Sequence, residues 1–288
     1  MDVLGLGQCV VDRLALVDGY PGPDEKREFE TMVVSCGGPA ATALVALSRW
    51  GRSCRFCGVV GDDEEGALIR ADLAEEGVDA SGLIVRPGSR SQFAFIAVEK
   101  SRGSRRIFWR RPTGAAPRTE EVPVGEFKVF LTDGLFAEAS VETARRLTGR
   151  ALVVVDAGTL REGTEAMLPL ADVFVASASF ARAWMGRDDP AGACERMRAM
   201  GVKVAGVTRG EQGYVASFED RTLERPAHSA KTVDTTGCGD IFHAALIEGQ
   251  LTGWDWERSF EFAAWAAARC STRVGTRAGI PARTEFAV

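Results

Sequence analysis

Asp234-Thr235-Thr236-Gly237-Cys238-Gly239-Asp240 runs directly into the apolar stretch Ile241-Phe242-His243-Ala244-Ala245-Leu246. Two glycines flank one small residue, and an aspartate stands three positions after the first glycine. Glycines let the backbone approach an anion closely. The free N–H groups of a first helical turn point at such an anion, and the helix dipole favours its charge. Asp240 would lie in that turn, beside the anion, where a carboxylate can take a proton from a hydroxyl that attacks a phosphate. Aspartate in a first turn is also a common structural device. The assignment therefore rests on the whole string and on the residues that surround it.

Two further places carry candidate chemistry. Asp12 follows the first apparent strand, where a carboxylate can accept hydroxyl hydrogen bonds or simply face solvent. Gly37-Gly38 precedes Pro39-Ala40-Ala41-Thr42-Ala43, a helix-opening run with proline in its first turn. Such a glycine pair is either an ordinary junction or a backbone that must approach a small polyol. Gly5-Leu6-Gly7 lacks the third glycine and the helix of a dinucleotide fingerprint. Seven cysteines, an odd number, are scattered through strands and helices and imply reduced thiols. Cys54 and Cys57 form a CxxC, but positions three apart in a strand point to opposite faces. With only His228 and His243, a histidine metal site or a histidine-based triad is not indicated.

The elements that must position these residues follow from periodicity. The 288-residue chain, 45% hydrophobic, is long enough for one large α/β domain. Its net charge of −5 gives no basic surplus for nucleic acid or anionic membrane. The amino terminus lacks a basic leader and no apolar run reaches membrane-spanning length, so a cytoplasmic protein is expected. From Phe127 onward strands and helices alternate, which implies a parallel, doubly wound sheet with ligands at the carboxyl ends of its strands. Tyr214 to Phe218 and Thr222 to Ala227 read as an antiparallel hairpin at one edge. Two alternating segments, about 12–34 and 90–110, interrupt this rhythm and should pair as a small projecting sheet. Within the second, Ser101-Arg102-Gly103-Ser104 reads as a hairpin turn. The helix opened at Cys36 to Ala43 should end at Gly51, and Gly61-Asp62-Asp63 should open the next.

Taken together, these motifs resemble the ribokinase (PfkB) family of carbohydrate kinases, and the resemblance covers essentially the whole chain. It implies a ribokinase-like α/β fold: a doubly wound, mostly parallel sheet with helices on both faces and a small β-sheet lid, in a single domain over 1–288. It also implies ATP-dependent phosphorylation of a sugar. Asp240 would be the base, and the amides of Gly237, Cys238 and Gly239 the anion hole. Asp12, Gly37, Gly38 and Thr42 would hold the sugar, with Arg111 reaching from the lid toward phosphates. Ser177, Thr208, Gly210, Gly275 and Gly279 would line the ATP site. Asp234 and Thr236 would hold a monovalent cation, K⁺, while Mg²⁺ would accompany ATP. A homodimer through the lid is implied as well.

Within the family, Gly7 to Arg13 followed by Asp18-Gly19-Tyr20-Pro21 is similar to ketohexokinases. Gly37 to Ala43, Phe242 to Leu246 and Arg277 to Pro281 are similar to bacterial sulfofructose kinases. Both act on a primary hydroxyl of a ketose. The chain also departs from the family. Thr42 stands where ribokinases carry asparagine, and Cys238 where the anion hole has alanine. Leu135 replaces a sulfonate-contacting arginine. The asparagine-x-x-glutamate element that organises Mg²⁺ falls on Ser177-Ala178-Ser179-Phe180, which offers a hydroxyl but no carboxylate. Two alternatives follow: a nucleoside kinase using Phe93, Phe95, Phe108 and Trp109 as a stacking wall, and a sugar-binding regulatory protein of low catalytic power.

Overall fold

The computed structural model describes residues 1–100 and 104–286. In chain order the strands and helices begin with β1 (Val3–Leu6), β2 (Val10–Val17), β3 (Phe29–Gly37), α1 (Pro39–Arg49), β4 (Cys54–Gly61) and α2 (Glu64–Glu75). Next come β5 (Asp79–Arg86), β6 (Phe93–Glu99), β7 (Arg105–Arg110), β8 (Val129–Thr132), α3 (Ala137–Leu147), β9 (Leu152–Ala157) and α4 (Glu162–Met167). Then follow β10 (Val173–Ser177), α5 (Ala178–Met185), α6 (Pro190–Ala199), β11 (Val204–Thr208), β12 (Tyr214–Phe218) and β13 (Arg221–Arg225). The chain closes with α7 (Cys238–Thr252), α8 (Trp256–Cys270) and α9 (Thr276–Gly279).

Among the described residues a nine-stranded sheet runs β13-β12-β11-β10-β9-β8-β1-β4-β5. From β11 across to β5 every pairing is parallel, and β12 and β13 add the expected antiparallel edge. The chain winds outward from β1 through β4 to β5, then returns to β8 and winds the other way. The order therefore reverses beside β1, and the crevice at the carboxyl ends of β1 and β8 is where such sheets take ligands. Helix starts are locally encoded: Asp63, Asp189 and Asp255 accept first-turn N–H groups of α2, α6 and α8, and Pro39 and Pro190 open α1 and α6.

The sheet separates two hydrophobic layers. One packs α1, α7 and α8, with Tyr214, Phe242, Phe260 and Phe262 at its centre, and the other packs α3 to α6. Cys54 belongs to the first layer and Cys57 to the second, as opposite faces of a strand require.

A second sheet, β3-β2-β6-β7, is built from the two segments that break the α/β rhythm. β2 pairs antiparallel with β3 and parallel with β6, so this sheet is mixed. Phe29, Met32, Val34, Ile107, Phe108 and Trp109 are exposed on it. The turn expected at Ser101 to Ser104 lies mostly outside the described residues.

Two boundaries differ from expectation. β3 continues to Gly37, so the glycine pair ends a strand and α1 begins only at Pro39. β5 is an element that periodicity does not reveal. It is an edge strand whose apolar run follows Gly82, where an added Cβ would lie 2.7 Å from the Phe56 carbonyl oxygen.

Candidate active site

Gly237 is the N-cap of α7, with φ 76°, a left-handed conformation that a side chain would strain. No side chain caps this helix: Cys238 N donates to the Thr235 carbonyl oxygen at a long 3.3 Å, and no described residue accepts from the Gly239 and Asp240 N–H groups, which stay open. A Cβ placed on Gly239 would meet nothing within 4 Å, which leaves room for an anion above the turn. Asp240 lies in that turn, partly open to the cleft yet enclosed by protein on its other sides.

Four aspartates converge here. Asp133 follows β8 and Asp156 sits in the carboxyl half of β9, 3% and 5% exposed respectively. Burial, then Asp156, Asp133 and Asp12 in that order, push the Asp240 carboxyl from its ordinary 3.8 up to about 8. Thr42 Oγ1, fully buried on α1, reaches close enough to Asp240 to oppose that rise. It nevertheless has no well-aligned hydrogen bond to a described residue. A hydroxyl so placed beside a carboxyl is free to orient a third group between them.

Asp133 is held by two backbone donors, Gln8 N at 2.7 Å and Leu135 N at 3.0 Å, and burial still raises its pKa. A Cβ on Gly7 would collide with this carboxylate at 2.2 Å. The glycine of Gly5-Leu6-Gly7 thus serves Asp133, not a dinucleotide. Asp156 Oδ2 lies 3.3 Å from His243 Nδ1. The same nitrogen is 2.8 Å from the Gly239 carbonyl oxygen, and His243 Nε2 is 3.2 Å from the Val175 carbonyl oxygen. His243, 3% exposed, therefore ties the first turn of α7 to β9 and β10, as a packed residue in place of a metal ligand.

The floor of the cleft comes from the roots of the small sheet. Asp12 sits on β2 opposite Ser35, and burial pushes its carboxyl up to about 6. Its carboxylate has no hydrogen bond or ion pair to another described side chain. Gly37 lacks a Cβ that would come within 2.8 Å of Asp12 Oδ2. Gly38 has φ 106° and passes so close to Gln8 that a Cβ would lie 2.2 Å from its carbonyl oxygen. It is also the N-cap of α1, without a side-chain cap, so a second open helix end borders the cleft.

On the other flank, Ser177 and Thr208 end the adjacent strands β10 and β11 and stand opposite each other. Ser177 Oγ accepts from Phe180 N at 3.0 Å and donates to the Gly158 carbonyl oxygen, so it is occupied as the cap of α5. Phe180 is 1% exposed against Phe174 and Trp184. The position that would present a carboxylate instead fills the core. Thr208 Oγ1 makes only a 3.4 Å contact to the Ala176 carbonyl oxygen. Gly210 and Gly275 both have positive φ and open space beside them, and Gly279 packs against Cys270.

Asp234 gathers two loops. Its Oδ1 accepts from Thr236 N at 2.9 Å and Thr236 Oγ1 at 2.7 Å, and its Oδ2 accepts from Gly275 N at 3.0 Å. Among the described residues no group of three or more His, Cys, Asp or Glu could hold a metal ion. Arg111 is exposed on the small sheet, its guanidinium 5.0 Å from the Trp109 ring centre.

Three residues here escaped the sequence reading: Asp133, Asp156 and Arg161. Arg161 follows β9, is half-buried, and its charge acts on Asp133. No hydrogen bond or ion pair to a described residue holds its guanidinium. The signal that could have found the two acids is an aspartate closing a buried parallel strand just before a glycine turn, as in Thr132-Asp133-Gly134 and Asp156-Ala157-Gly158. A broad depression of about 590 Å³ lies at the opposite ends of the strands, lined by Lys128, Arg150, Asp172, Arg198, Lys203 and Trp256 among others. It contains none of these acids, and its Lys203 and Asp172 pair with each other at 2.7 Å.

A doubly wound sheet, a glycine-opened helix carrying an acid at the switch point and a small second sheet rooted in the cleft together define a ribokinase-like sugar kinase. The sequence pattern of the pfkB family carbohydrate kinases matches residues 2–283, and the chain belongs to that family. It is 29% identical over 249 residues to an uncharacterized sugar kinase of Archaeoglobus fulgidus, covering 82% of this chain and 98% of the relative. It is also 29% identical over 266 residues to a fructokinase of Klebsiella pneumoniae, covering 85% and 82%. The solved structure of a putative ribokinase from Agrobacterium tumefaciens superposes with a TM-score of 0.89 at 28% identity, over 99% of this chain and 95% of that one. Among the described residues no helix is long and apolar enough to cross a membrane.

Proposed function

We propose that this sugar kinase transfers the γ-phosphoryl group of ATP to a primary hydroxyl of a small ketose-like sugar, with Asp240 as base. The observation that carries this reading is the Asp240 carboxyl, raised in pKa by burial and by Asp156 and Asp133, in the first turn of an uncapped helix. A base whose pKa lies near working pH can take the hydroxyl proton as the oxygen attacks phosphorus. The β–γ bridging oxygen then leaves with ADP. The amides at Gly237, Cys238 and Gly239 face the charge that gathers on the transferring group. Arg161, unpaired at the carboxyl end of β9, supplies a positive charge on the same side.

Asp12, Gly37, Gly38 and Thr42 form the sugar floor. Asp12 accepts sugar hydroxyls, and Thr42 orients the attacking one toward Asp240. Thr208, Gly210, Gly275 and Gly279 line the nucleotide, with the Ser177 backbone beside them. Mg²⁺ supplies charge neutralisation on the ATP phosphates. The scattered carboxylates and hydroxyls at the strand ends suit a cation that keeps most of its water. Asp234 and Thr236 mark where K⁺ would sit, at the junction of two loops. Arg111 extends from the lid toward the phosphates only when the lid closes. The exposed apolar residues of the small sheet favour a homodimer through it.

A nucleoside is disfavoured by one observation. Phe93, the stacking candidate nearest the floor, is covered by the guanidinium groups of Arg13 at 5.5 Å and Arg110 at 5.8 Å. The test is ADP formation by wild type and Asp240→Asn across a panel of ketoses, aldoses and nucleosides. Turnover with ketoses, lost in the variant, supports the reading. Turnover with nucleosides alone, or sugar binding without any ADP, would sink it.

A further inference from the structure

The anion hole contains a cysteine, and that cysteine has a neighbour of its own kind. Cys238 opens α7 and is half-buried. Cys270 closes α8, is 1% exposed, and belongs to the core cluster against which Cys238 packs, with the Cys238 thiol as its strongest electrostatic neighbour. Neither is in a disulfide. The neighbouring backbone is already fastened: Val233 N and Asp234 N donate to the Ser271 carbonyl oxygen at 2.7 and 3.1 Å. The loop that leads into the anion hole is thereby pinned to the end of α8, so the two sulfurs are held together by the fold. Gly279 closes the far side, where an added Cβ would come within 3.0 Å of Cys270 Sγ. Cys9, Cys36, Cys54, Cys57 and Cys194 are all buried. Cys238 alone among the seven is not buried.

We propose that Cys238 and Cys270 form a reversible disulfide that shuts the phosphoryl-transfer site under oxidation by a peroxide. The Cys238 sulfur attacks one peroxide oxygen, the O–O bond breaks, and a sulfenic acid and one water result. The Cys270 sulfur then attacks that sulfenic sulfur. The S–S bond forms, the S–O bond breaks, and the oxygen leaves as a second water with the thiol proton. Two thiols and one hydrogen peroxide give one disulfide and two waters. Its contact with Cys238, then burial and the nearby acids Asp240 and Asp234, hold the Cys270 thiol far above its ordinary pKa, so it stays protonated, does not react with peroxide itself, and gives its proton to the departing oxygen as its sulfur attacks. Because the bond ties the first residue of α7 to the last of α8, the Cys238 and Gly239 amides lose the freedom to close on the transferring group. This loss of activity rests on the anion-hole role given to residues 237–239; formation of the bond does not.

The test treats the intact protein with hydrogen peroxide, traps remaining thiols with an alkylating agent under denaturing conditions, and maps linked peptides by mass. ADP formation is followed in parallel, before and after dithiothreitol. Expected are a 238–270 link, a fall in rate of roughly 10² as for loss of one oxyanion donor, and recovery on reduction. Cys270→Ala should form no link, and any rate it loses to peroxide should track oxygen gained at Cys238 in the mass map, since the sulfenic acid there has no partner to resolve it. If it does not fold, Cys270→Ser serves, and Cys238→Ala read by mass alone should likewise show no link. Absence of the link in wild type overturns the proposal and leaves the anion hole untouched. A link without loss of rate overturns both the switch and the anion-hole role. Equal loss of rate in Cys270→Ala with no oxygen gained at Cys238 attributes inactivation to another site and overturns it too.

Discussion

Replacing Asp240 with asparagine should make the protein slower and more stable at once, and the second effect should depend on pH. The side chain keeps its shape but loses both its basicity and its charge. Loss of a positioned base lowers kcat by roughly 10²–10⁴. For stability, the native carboxyl titrates near 8 against 3.8 for an ordinary aspartate. Each unit of that difference is about 1.4 kcal/mol. The native state binds the proton more tightly than the unfolded chain, so stability is greatest below about pH 4 and declines as pH rises through 8. At pH 8 wild type carries the full cost of a fourth charge beside Asp156, Asp133 and Asp12, and the asparagine variant does not. The four acids share that cost, and the cleft admits some water. After that discount the variant should gain roughly 1–3 kcal/mol at pH 8, a rise of about 2–8 °C in Tm for a chain of this size. At pH 5 the group is protonated when folded but ionised when unfolded, so the gain should shrink to roughly a third of its pH 8 value. Differential scanning fluorimetry at the two pH values, beside an ADP-release assay, reads both effects. A variant less stable than wild type at pH 8, or equally stabilised at both pH values, would refute the carboxylate-cluster argument. A rate within about tenfold of wild type would refute the base.

Asp12→Asn tests the floor: with its carboxyl at about 6, the wild-type KM for sugar should fall as pH rises through that value, because the charged form is the better acceptor. The variant should lose this dependence and raise KM by roughly 10–100-fold. Arg161→Ala should lower kcat by roughly 10² with little change in sugar KM, and lysine should restore part of it; an unchanged kcat removes Arg161 from the phosphoryl-transfer region. Gly38→Ala forces a side chain into a left-handed residue 2.2 Å from the Gln8 carbonyl oxygen. It should cost roughly 2–4 kcal/mol, read as a lower Tm, and an unshifted melting curve would show that the strand end can yield.

The helix at Asp240 is legible in the sequence because its chemistry is local. Glycine spacing, an acid in the first turn and an apolar run are all written within one short stretch. The small sheet is legible for the opposite reason, since its strands are the places where α/β rhythm fails. What stays hidden is whatever the topology assembles. Asp133 and Asp156 are far from Asp240 in sequence and meet it only because β8 lies beside β1 at the reversal of strand order, with β9 next to β8. Arg161 has no motif around it and is noticed only once its lack of partners is seen. Cys238 and Cys270 belong to different helices, and only the packing of α7 on α8 makes them a pair. β5 is missed because half of an edge strand needs no apolar face. Phe180 is a milder case: its departure from the family pattern is visible, while the reason, a core position against Phe174 and Trp184, is not.

The root of the small sheet has a mechanical consequence. Val10 pairs with Gly37 and Asp12 with Ser35, so the proposed sugar floor occupies the first rungs of the same two strands that extend outward as Leu16 and Val17 opposite Thr31 and Phe29. The sheet is a lever whose fulcrum is the binding floor. If the proposed sugar floor is right, tilting its far end would displace Asp12, occupancy and closure would be one equilibrium, and observed affinity would scale with the fraction of molecules already closed. On that reading, a second copy bearing on the outer, apolar surface would tune sugar affinity without touching the sugar.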